Sequence, residues 1–239
     1  MKTIGILGGM GPEASIFFYQ KILDNTPAQK DQDHIPTLIY SNPQIPNRTD
    51  AILSNQLEKT AKALEESAKI LEEGGASFIV IPCNTAHFWI EDIKAAVNIP
   101  VFDMIEETVR FLVENLQLKK VGLLSTIGTQ KTEVFQKKGE AFSLEILIPN
   151  QFLSQKVMEV IGEIKKGNKS KTLLQAIEEV RIWFQNLGVD QLVLGCTELP
   201  LLFENETEWA LDPMDVLARV AVAEALNSVP VSRITQEAS

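Results

Sequence analysis

One stretch of this chain occurs twice, and each copy carries one of its only two cysteines. The copies are residues 75–85 and 188–198. In both, a glycine precedes a short apolar run, and the cysteine stands eight positions after the glycine. This pattern is typical of a helix that ends at glycine and is followed by a buried strand. We therefore expect Cys83 and Cys196 just past the carboxyl ends of two equivalent strands, each at the start of a new helix.

Two further pairs of segments extend this duplication. Residues 120–129 echo residues 2–12 at an offset of 117 positions, and residues 210–215 echo residues 101–106 at an offset of 109. The cysteine stretches lie between them at an offset of 113. Three matches in the same order indicate a duplicated unit in which strands alternate with helices. We predict an α/β fold of two similar three-layer domains with mainly parallel sheets, related by pseudo-twofold symmetry, with the active site between them.

Composition limits the classes of partner. A formal charge of −10 argues against nucleic acid, which requires a basic surface. No apolar run approaches the roughly 18 residues that span a bilayer, so we expect no membrane association and a cytoplasmic location. The two histidines lie far from each other in the sequence, as do the two cysteines, without the paired spacing of a zinc site. We therefore expect no metal.

The first predicted strand, residues 3–9, leads into a glycine-rich turn before Pro12. The turn does not match the dinucleotide pattern G-x-G-x-x-G, because Ala14 stands where the third glycine is required, and no Gly-Lys-Ser/Thr follows. We interpret the segment as a tight turn that offers backbone amides to a carboxylate, followed by a helix that begins at Pro12.

Cations stand at two places outside the repeated stretches. Arg48 lies in residues 41–49, where two prolines and two asparagines predict an irregular loop. Residues 155–167 predict a helix whose last turn carries Lys165 and Lys166 before a glycine, a common dipole-matched end. Taken alone, these side chains are typical of solvated charges.

The matching positions of the two cysteines favour one chemistry over three others. Oriented amides at a helix start stabilise a thiolate, so we expect a pKa below about 8.5 for each sulfur. A redox dithiol lacks the CxxC spacing, a metal pair lacks ligands, and a nucleophile needs only one sulfur. A two-base exchange needs both, because one thiolate removes a proton from a carbon and the opposite thiol protonates the other face. Repulsion leaves one charge for the pair. His87, one turn after Cys83, is expected to pack or cap rather than assist.

Six motifs in order resemble the signature of the aspartate/glutamate racemase family, most closely its aspartate racemase branch: Gly8-Gly-Met-Gly-Pro12, Asn42-Pro-Gln-Ile-Pro-Asn-Arg48, Pro82-Cys-Asn-Thr-Ala-His87, Ile164-Lys-Lys-Gly167, Gly195-Cys-Thr-Glu198 and Asp212-Pro-Met-Asp-Val216. The resemblance covers essentially the whole chain. It implies a cofactor-independent aspartate racemase with two α/β domains, and a homodimer. It also implies that the C-terminal helix returns to the first domain, which gives domains of residues 1–103 plus 211–239, and 104–210.

The resemblance implies roles for eight residues: Cys83 and Cys196 as the acid/base pair, Arg48 and Lys165 (which precedes the glycine by two positions) as ligands of the distal carboxylate, and Met10, Asn84, Thr85 and Thr197 as further substrate contacts. A glutamate or broad-specificity racemase is the nearest alternative, since one methylene is worth only about 1–3 kcal/mol of discrimination. A non-catalytic amino-acid-binding module is the alternative from another class, and it leaves the paired thiols unexplained.

Overall fold

The computed structural model describes residues 1–189, 191–203 and 208–227, in which strands and helices alternate. The strands are β1 (Ile4–Gly8), β2 (Thr37–Ser41), β3 (Phe78–Val80), β4 (Lys120–Ser125), β5 (Glu145–Leu147), β6 (Leu192–Gly195) and β7 (Ala210–Leu211). The α-helices are α1 (Pro12–Asn25), α2 (Arg48–Leu53), α3 (Glu58–Glu73), α4 (Ile90–Ala96), α5 (Met104–Glu114), α6 (Ile127–Thr132), α7 (Val134–Ala141), α8 (Gln151–Lys165), α9 (Lys171–Gln185) and α10 (Pro213–Ala225). Short 3-10 helices lie at Asp31–Asp33, Thr85–Trp89 and Leu199–Leu202.

The strands form two parallel sheets, one in each copy of the repeat. Their strand orders are β2-β1-β3 and β5-β4-β6-β7, so β1, β2 and β3 correspond to β4, β5 and β6. The counterpart of β7 in the first sheet is only a parallel bridge between Val101 and Ile79. The strand suggested by the likeness of residues 101–106 to 210–215 is therefore reduced to one residue in the first sheet, although Asp103 caps α5 as Asp212 caps α10. The predicted α/β fold with two similar halves is confirmed.

Helices cover both faces of each sheet, which gives three layers. One face of the first sheet packs against α1 and α10, and the other against α3 and α4. In the second sheet the corresponding layers are α5 with α7, and α8 with α9. Strands buried on both faces account for the nearly unbroken apolar runs in the sequence. No helix in the described ranges is long and apolar enough to cross a membrane.

The two halves exchange their last helices. Helix α5 follows the Val101 bridge of the first sheet, but its apolar face, with Ile105 and Val109, packs on Val121 and Leu123 of the second sheet. Helix α10 follows β7 of the second sheet and packs on β1 and α1 of the first. This packing favours the domain boundaries that the sequence suggests, which stay a prediction. Residues 228–239 of the first predicted domain lie outside the described residues.

A partly buried ion pair holds each exchanged helix. Asp212 caps α10, and its Oδ2 lies 3.2 Å from Lys21 Nζ on α1. Asp103 caps α5, and its Oδ2 lies 3.0 Å from Lys138 Nζ on α7. Lys138 follows Lys21 by 117 positions and Asp212 follows Asp103 by 109, the offsets of the outer repeats. The duplication therefore preserves an interaction as well as a fold.

The approach to each cysteine also has the same backbone geometry in both halves. Gly75 and Gly188 adopt left-handed conformations, with φ of +93° and +70°. The amide that follows each glycine donates a hydrogen bond to the carbonyl five residues before it, at 3.0 Å and 3.1 Å. This is a glycine-based helix ending that turns the chain into the next strand. Both copies therefore have the predicted order of helix, glycine, strand and cysteine.

Helix α2 joins the halves by packing on α6. Residues 41–49 form the predicted loop only up to Asn47, whose side chain accepts from the amides of Thr49 and Asp50 and so starts α2. Arg48 is therefore the first residue of a helix and not a loop residue. A Cβ on Gly128 of α6 would lie 2.8 Å from Thr49 Oγ1 and 2.9 Å from its Cα. This close approach requires glycine.

His87 connects the turn after Cys83 to helix α5. Its Nδ1 donates to the Cys83 carbonyl at 2.9 Å, and its Nε2 accepts from the Met104 amide at 3.0 Å. Burial lowers the pKa of His87, although Asp103 acts in the opposite direction. The histidine is thus a neutral packed cap, as the sequence suggested.

We predict that Gly128→Ala destabilises the protein by about 1–3 kcal/mol, because the methyl group overlaps Thr49. Gly162→Ala is the matched control, since that glycine lies within α8 with no atom within 4 Å of the added methyl. The control should be neutral or more stable by about 0.5–1 kcal/mol, through lower chain entropy. Urea unfolding measures both. Equal effects of the two substitutions would contradict the close approach.

We predict that His87→Gln destabilises the protein by about 1–3 kcal/mol at neutral pH by leaving buried groups unpaired. The difference in unfolding free energy should shrink as the pH falls below 6.5, the ordinary pKa of histidine. Below that pH, His87 is protonated in the unfolded parent but stays neutral in the folded parent, so acidification destabilises the parent. The variant lacks this histidine and does not lose this stability. Urea unfolding of parent and variant across this range measures the difference. A gap that widens on acidification would mean that folded His87 is charged.

Candidate functional site

One cavity collects side chains from both halves at the carboxyl ends of their strands. Its empty space measures about 300 Å³, part of which is open to bulk solvent. All eight residues predicted for the site line it: Met10, Arg48, Cys83, Asn84, Thr85, Lys165, Cys196 and Thr197. Four residues that were not predicted also line it: Asn47, Thr49, Thr126 and Glu198. The signal for Glu198 was present in the repeat, where it stands 113 positions after Thr85.

Both cysteines are free thiols in the wall of this cavity, and each is 5% exposed. Cys196 directly follows β6, and Cys83 comes shortly after β3. The helices that follow them are short 3-10 segments, which offer fewer aligned amides than the predicted helices. The two sulfurs therefore occupy equivalent positions on opposite halves of one cavity.

The environment of Cys196 favours the protonated thiol. Burial raises the pKa of Cys196 well above its ordinary value, and the charge of Glu198 raises it further, while Lys165 opposes the change. The sulfur donates a hydrogen bond to Glu198 Oε2 at 2.9 Å. The expected pKa below about 8.5 is therefore wrong for Cys196. A short 3-10 helix does not offset burial beside a carboxylate.

Lys165 points to the cavity and Lys166 does not. Helix α8 begins at Gln151, four residues before the predicted start, because Asn150 caps it. Its last residue, Lys165, places Nζ 3.6 Å from Glu198 Oε1. Burial lowers the pKa of Lys165, but its acidic neighbours Cys196, Glu198 and Cys83, which are negative when ionised, outweigh burial and raise the pKa. The Lys166 side chain is 74% exposed and pairs with Glu163.

Arg48 is held by backbone carbonyls. Its Nη1 donates to the carbonyls of Ile45 and Pro46, both at 3.1 Å, and its Nη2 donates to the Met10 carbonyl at 3.4 Å. Nε is buried without a hydrogen-bond partner. Among the described residues, no carboxylate pairs with Arg48. A cation fixed in this way, with a donor unused, suits an anionic ligand.

Asn84 presents an unsatisfied amide. It is 2% exposed, and neither Oδ1 nor Nδ2 has a hydrogen-bond partner. Thr85, by contrast, bonds through its hydroxyl to Thr126 at 3.1 Å and Thr129 at 2.8 Å. Thr197 contacts Glu198 Oε2 at 3.5 Å. Buried amides are rarely left unpaired, so both polar atoms of Asn84 are suited to a ligand.

A wider cleft of about 820 Å³ adjoins the cavity and shares its lining residues Asn47, Arg48, Lys165 and Glu198. Gly9 and Gly11 of the glycine turn line it. The Gly9 amide, however, donates to Ser15 Oγ at 2.9 Å. The prediction that this turn offers its amides to a carboxylate is therefore wrong for Gly9, whose amide is already satisfied.

Known proteins with related sequences and structures share this architecture. A profile described as Asp/Glu/Hydantoin racemase matches residues 7–221. The broad specificity amino-acid racemase RacX of Bacillus subtilis is 30% identical over 84% of this chain and 88% of its own length. Picrophilus torridus aspartate racemase has a TM-score of 0.82 and 32% identity, covering 94% of both chains.

A further solved structure, an aspartate racemase homologue from Pyrococcus horikoshii, has a TM-score of 0.74 and 28% identity and covers 95% of this chain and 100% of its own. The profile match spans most of the chain and includes both cysteines and both cations of the cavity. The chain therefore belongs to the Asp/Glu/hydantoin racemase family.

Proposed function

We propose that this protein is a pyridoxal-phosphate-independent amino-acid racemase that interconverts L- and D-aspartate. One of Cys83 and Cys196 removes the α-proton, and the other protonates the opposite face of the α-carbon. The observation that carries the proposal is the single cavity in which two thiols from equivalent positions lie with two cations. A binding module has no use for the second thiol. A nucleophilic enzyme would use one sulfur and leave the duplication unexplained.

The two cations suit a substrate with a second carboxylate. Arg48 offers a donor at a fixed position, and Lys165 adds a point charge at the end of α8. A guanidinium matches the planar geometry of a carboxylate, while an ammonium contributes charge with less directional demand. We assign the distal carboxylate of aspartate to this pair.

Asn84 and Thr197 suit the α-substituents. The Asn84 amide can accept from the α-ammonium through Oδ1 and donate to the α-carboxylate through Nδ2, and both atoms are buried without partners. Removal of the α-proton places negative charge on the α-carbon and its carboxylate. Donors already in position stabilise that charge without reorganising, which is the main means of lowering such a barrier.

The proton balance of the reaction follows from the two sulfurs. In one direction Cys83 as thiolate breaks the C–H bond and gains the proton, and Cys196 as thiol gives its proton to the opposite face of the carbanion. The product is the other enantiomer, with the thiolate now on Cys196. The reverse reaction exchanges the two roles, so a single negative charge serves both directions.

Glutamate or a broader range of amino acids is the second candidate, because the family profile and the Bacillus relative carry those descriptions. A panel of L-aspartate, L-glutamate and L-asparagine in D₂O distinguishes the candidates. Selective deuteration and racemisation of aspartate supports the proposal, and comparable turnover of all three supports broad specificity. The homodimer and the cytoplasmic location stay predictions.

We predict that the parent protein racemises L-aspartate in D₂O without added cofactor and places deuterium at the α-carbon. Cys83→Ala and Cys196→Ala should each lower the rate of racemisation by about 10²–10⁴-fold or more, because each removes one of the two proton-transfer groups. Chiral chromatography and proton NMR measure the products. Racemisation at the parental rate by either variant would exclude two-base chemistry.

We predict that Lys165→Ala raises KM for aspartate by about ten-fold or more, since a charge-assisted contact is worth roughly 1.5–3 kcal/mol. Lys166→Ala is the matched control, since it removes the same charge one residue away from a side chain that is 74% exposed. The control should retain the parental KM. Equal increases in both variants would indicate a general effect of surface charge and no contact with substrate.

A further inference from the structure

The two thiols differ in what faces them. The residue two positions after Cys196 is Glu198, and the residue two positions after Cys83 is Thr85. Glu198 turns its carboxylate to the sulfur and accepts from it at 2.9 Å. Thr85 turns its hydroxyl to Thr126 and Thr129. The repeat that makes the cysteines equivalent in position therefore leaves them unequal in chemistry.

Few charged groups act on Cys196. Glu198 is 4% exposed, so water screens its charge weakly. Lys165 on α8 lies 3.6 Å from Oε1 of that carboxylate, and its charge opposes the effect of Glu198 on the pKa of Cys196. Arg48 on α2 and Cys83 are the other titratable or charged side chains in the cavity lining. Glu198 is therefore the charged group in direct contact with the thiol.

We propose that Glu198 is a positioning residue that holds Cys196 as the proton-bearing thiol of the pair in the substrate-free protein. This inference rests on the proposed function only where it concerns turnover. Cys83 is then the thiolate base of the substrate-free protein. An enantiomer whose α-hydrogen faces Cys83 therefore reacts without a prior proton shift. For the other enantiomer, a proton first moves from Cys196 to Cys83 through solvent: the S–H bond of Cys196 breaks, an S–H bond forms on Cys83, and the negative charge passes from Cys83 to Cys196.

The first test measures the protonation of each sulfur without substrate. Iodoacetamide alkylates a thiolate by displacing iodide, and mass spectrometry of the separate peptides follows Cys83 and Cys196 individually across pH. Glu198→Gln keeps the shape of the side chain and removes its charge. We expect the midpoint for Cys196 to fall by about one pH unit or more, with little change at Cys83.

Two further variants make the result specific. Glu198→Asp keeps the charge and should retain a higher Cys196 midpoint than Glu198→Gln. Glu13→Gln removes a carboxylate that pairs with Lys169 at the edge of the outer cleft, and it should leave the midpoint unchanged. An unchanged Cys196 midpoint in Glu198→Gln, or an equal shift at Cys83, would overturn the proposal.

The second test is the pH profile of kcat/KM. Its alkaline limb reports loss of the thiol proton from the free enzyme, so Glu198→Gln should move that limb to lower pH by the shift seen in alkylation. The movement should be the same for both enantiomers, because the equilibrium constant of a racemisation is one. A role limited to packing would lower the rate at every pH and leave the limb in place, which would refute the inference.

The two tests separate this inference from the proposed function. A parent protein that racemises no amino acid, yet shows the Glu198-dependent midpoint at Cys196, refutes the function and retains the proton assignment. A racemase whose Cys196 midpoint does not respond to Glu198→Gln retains the function and loses the assignment.

Discussion

A parallel strand covered by helices on both sides can display a polar side chain only beyond its last residue. This constraint locates the chemistry of the whole molecule, because β3 and β6 are buried throughout and the cysteines are the first reactive groups after them. The other polar side chains of the cavity come from the loops and helix ends that gather at the same edges. The sheets thus confine the polar groups of the cavity to one region, at the carboxyl ends of the strands.

The similarity of the two halves and their difference beside the two cysteines have separate consequences in this cavity. The duplicated helix endings, ion pairs and strands make the two sulfurs equivalent in place. The different residues at positions 85 and 198 break this equivalence, because Thr85 bonds to Thr129, whereas the carboxylate of Glu198 accepts from the Cys196 sulfur. Lys165 faces both that carboxylate and the space open to a ligand. Binding of an anion beside Lys165 is therefore electrostatically linked to the proton on Cys196.

The sequence was sufficient for the architecture and for the group of residues around the cavity, because repeat offsets and glycine positions report backbone geometry directly. It was insufficient where the role of a residue depends on the direction of its side chain. Glu198 belonged to a quoted motif, yet only the fold shows that it turns to Cys196 and raises its pKa. Asn47 looked like one more loop residue until its capping bonds placed Arg48 on a helix. The Gly9 amide was taken by a serine six residues away, a contact that no local pattern announces.

The exchange of α5 and α10 has a consequence for how such a chain could arise. A polypeptide with only one copy of the repeat would end in a helix whose apolar face packs on a sheet that it does not possess. Two such polypeptides could complete each other only by trading those helices around a twofold axis. Fusion of their genes turns that mutual dependence into covalent connectivity. It also frees the two sides to diverge, as the residues beside the two sulfurs have done.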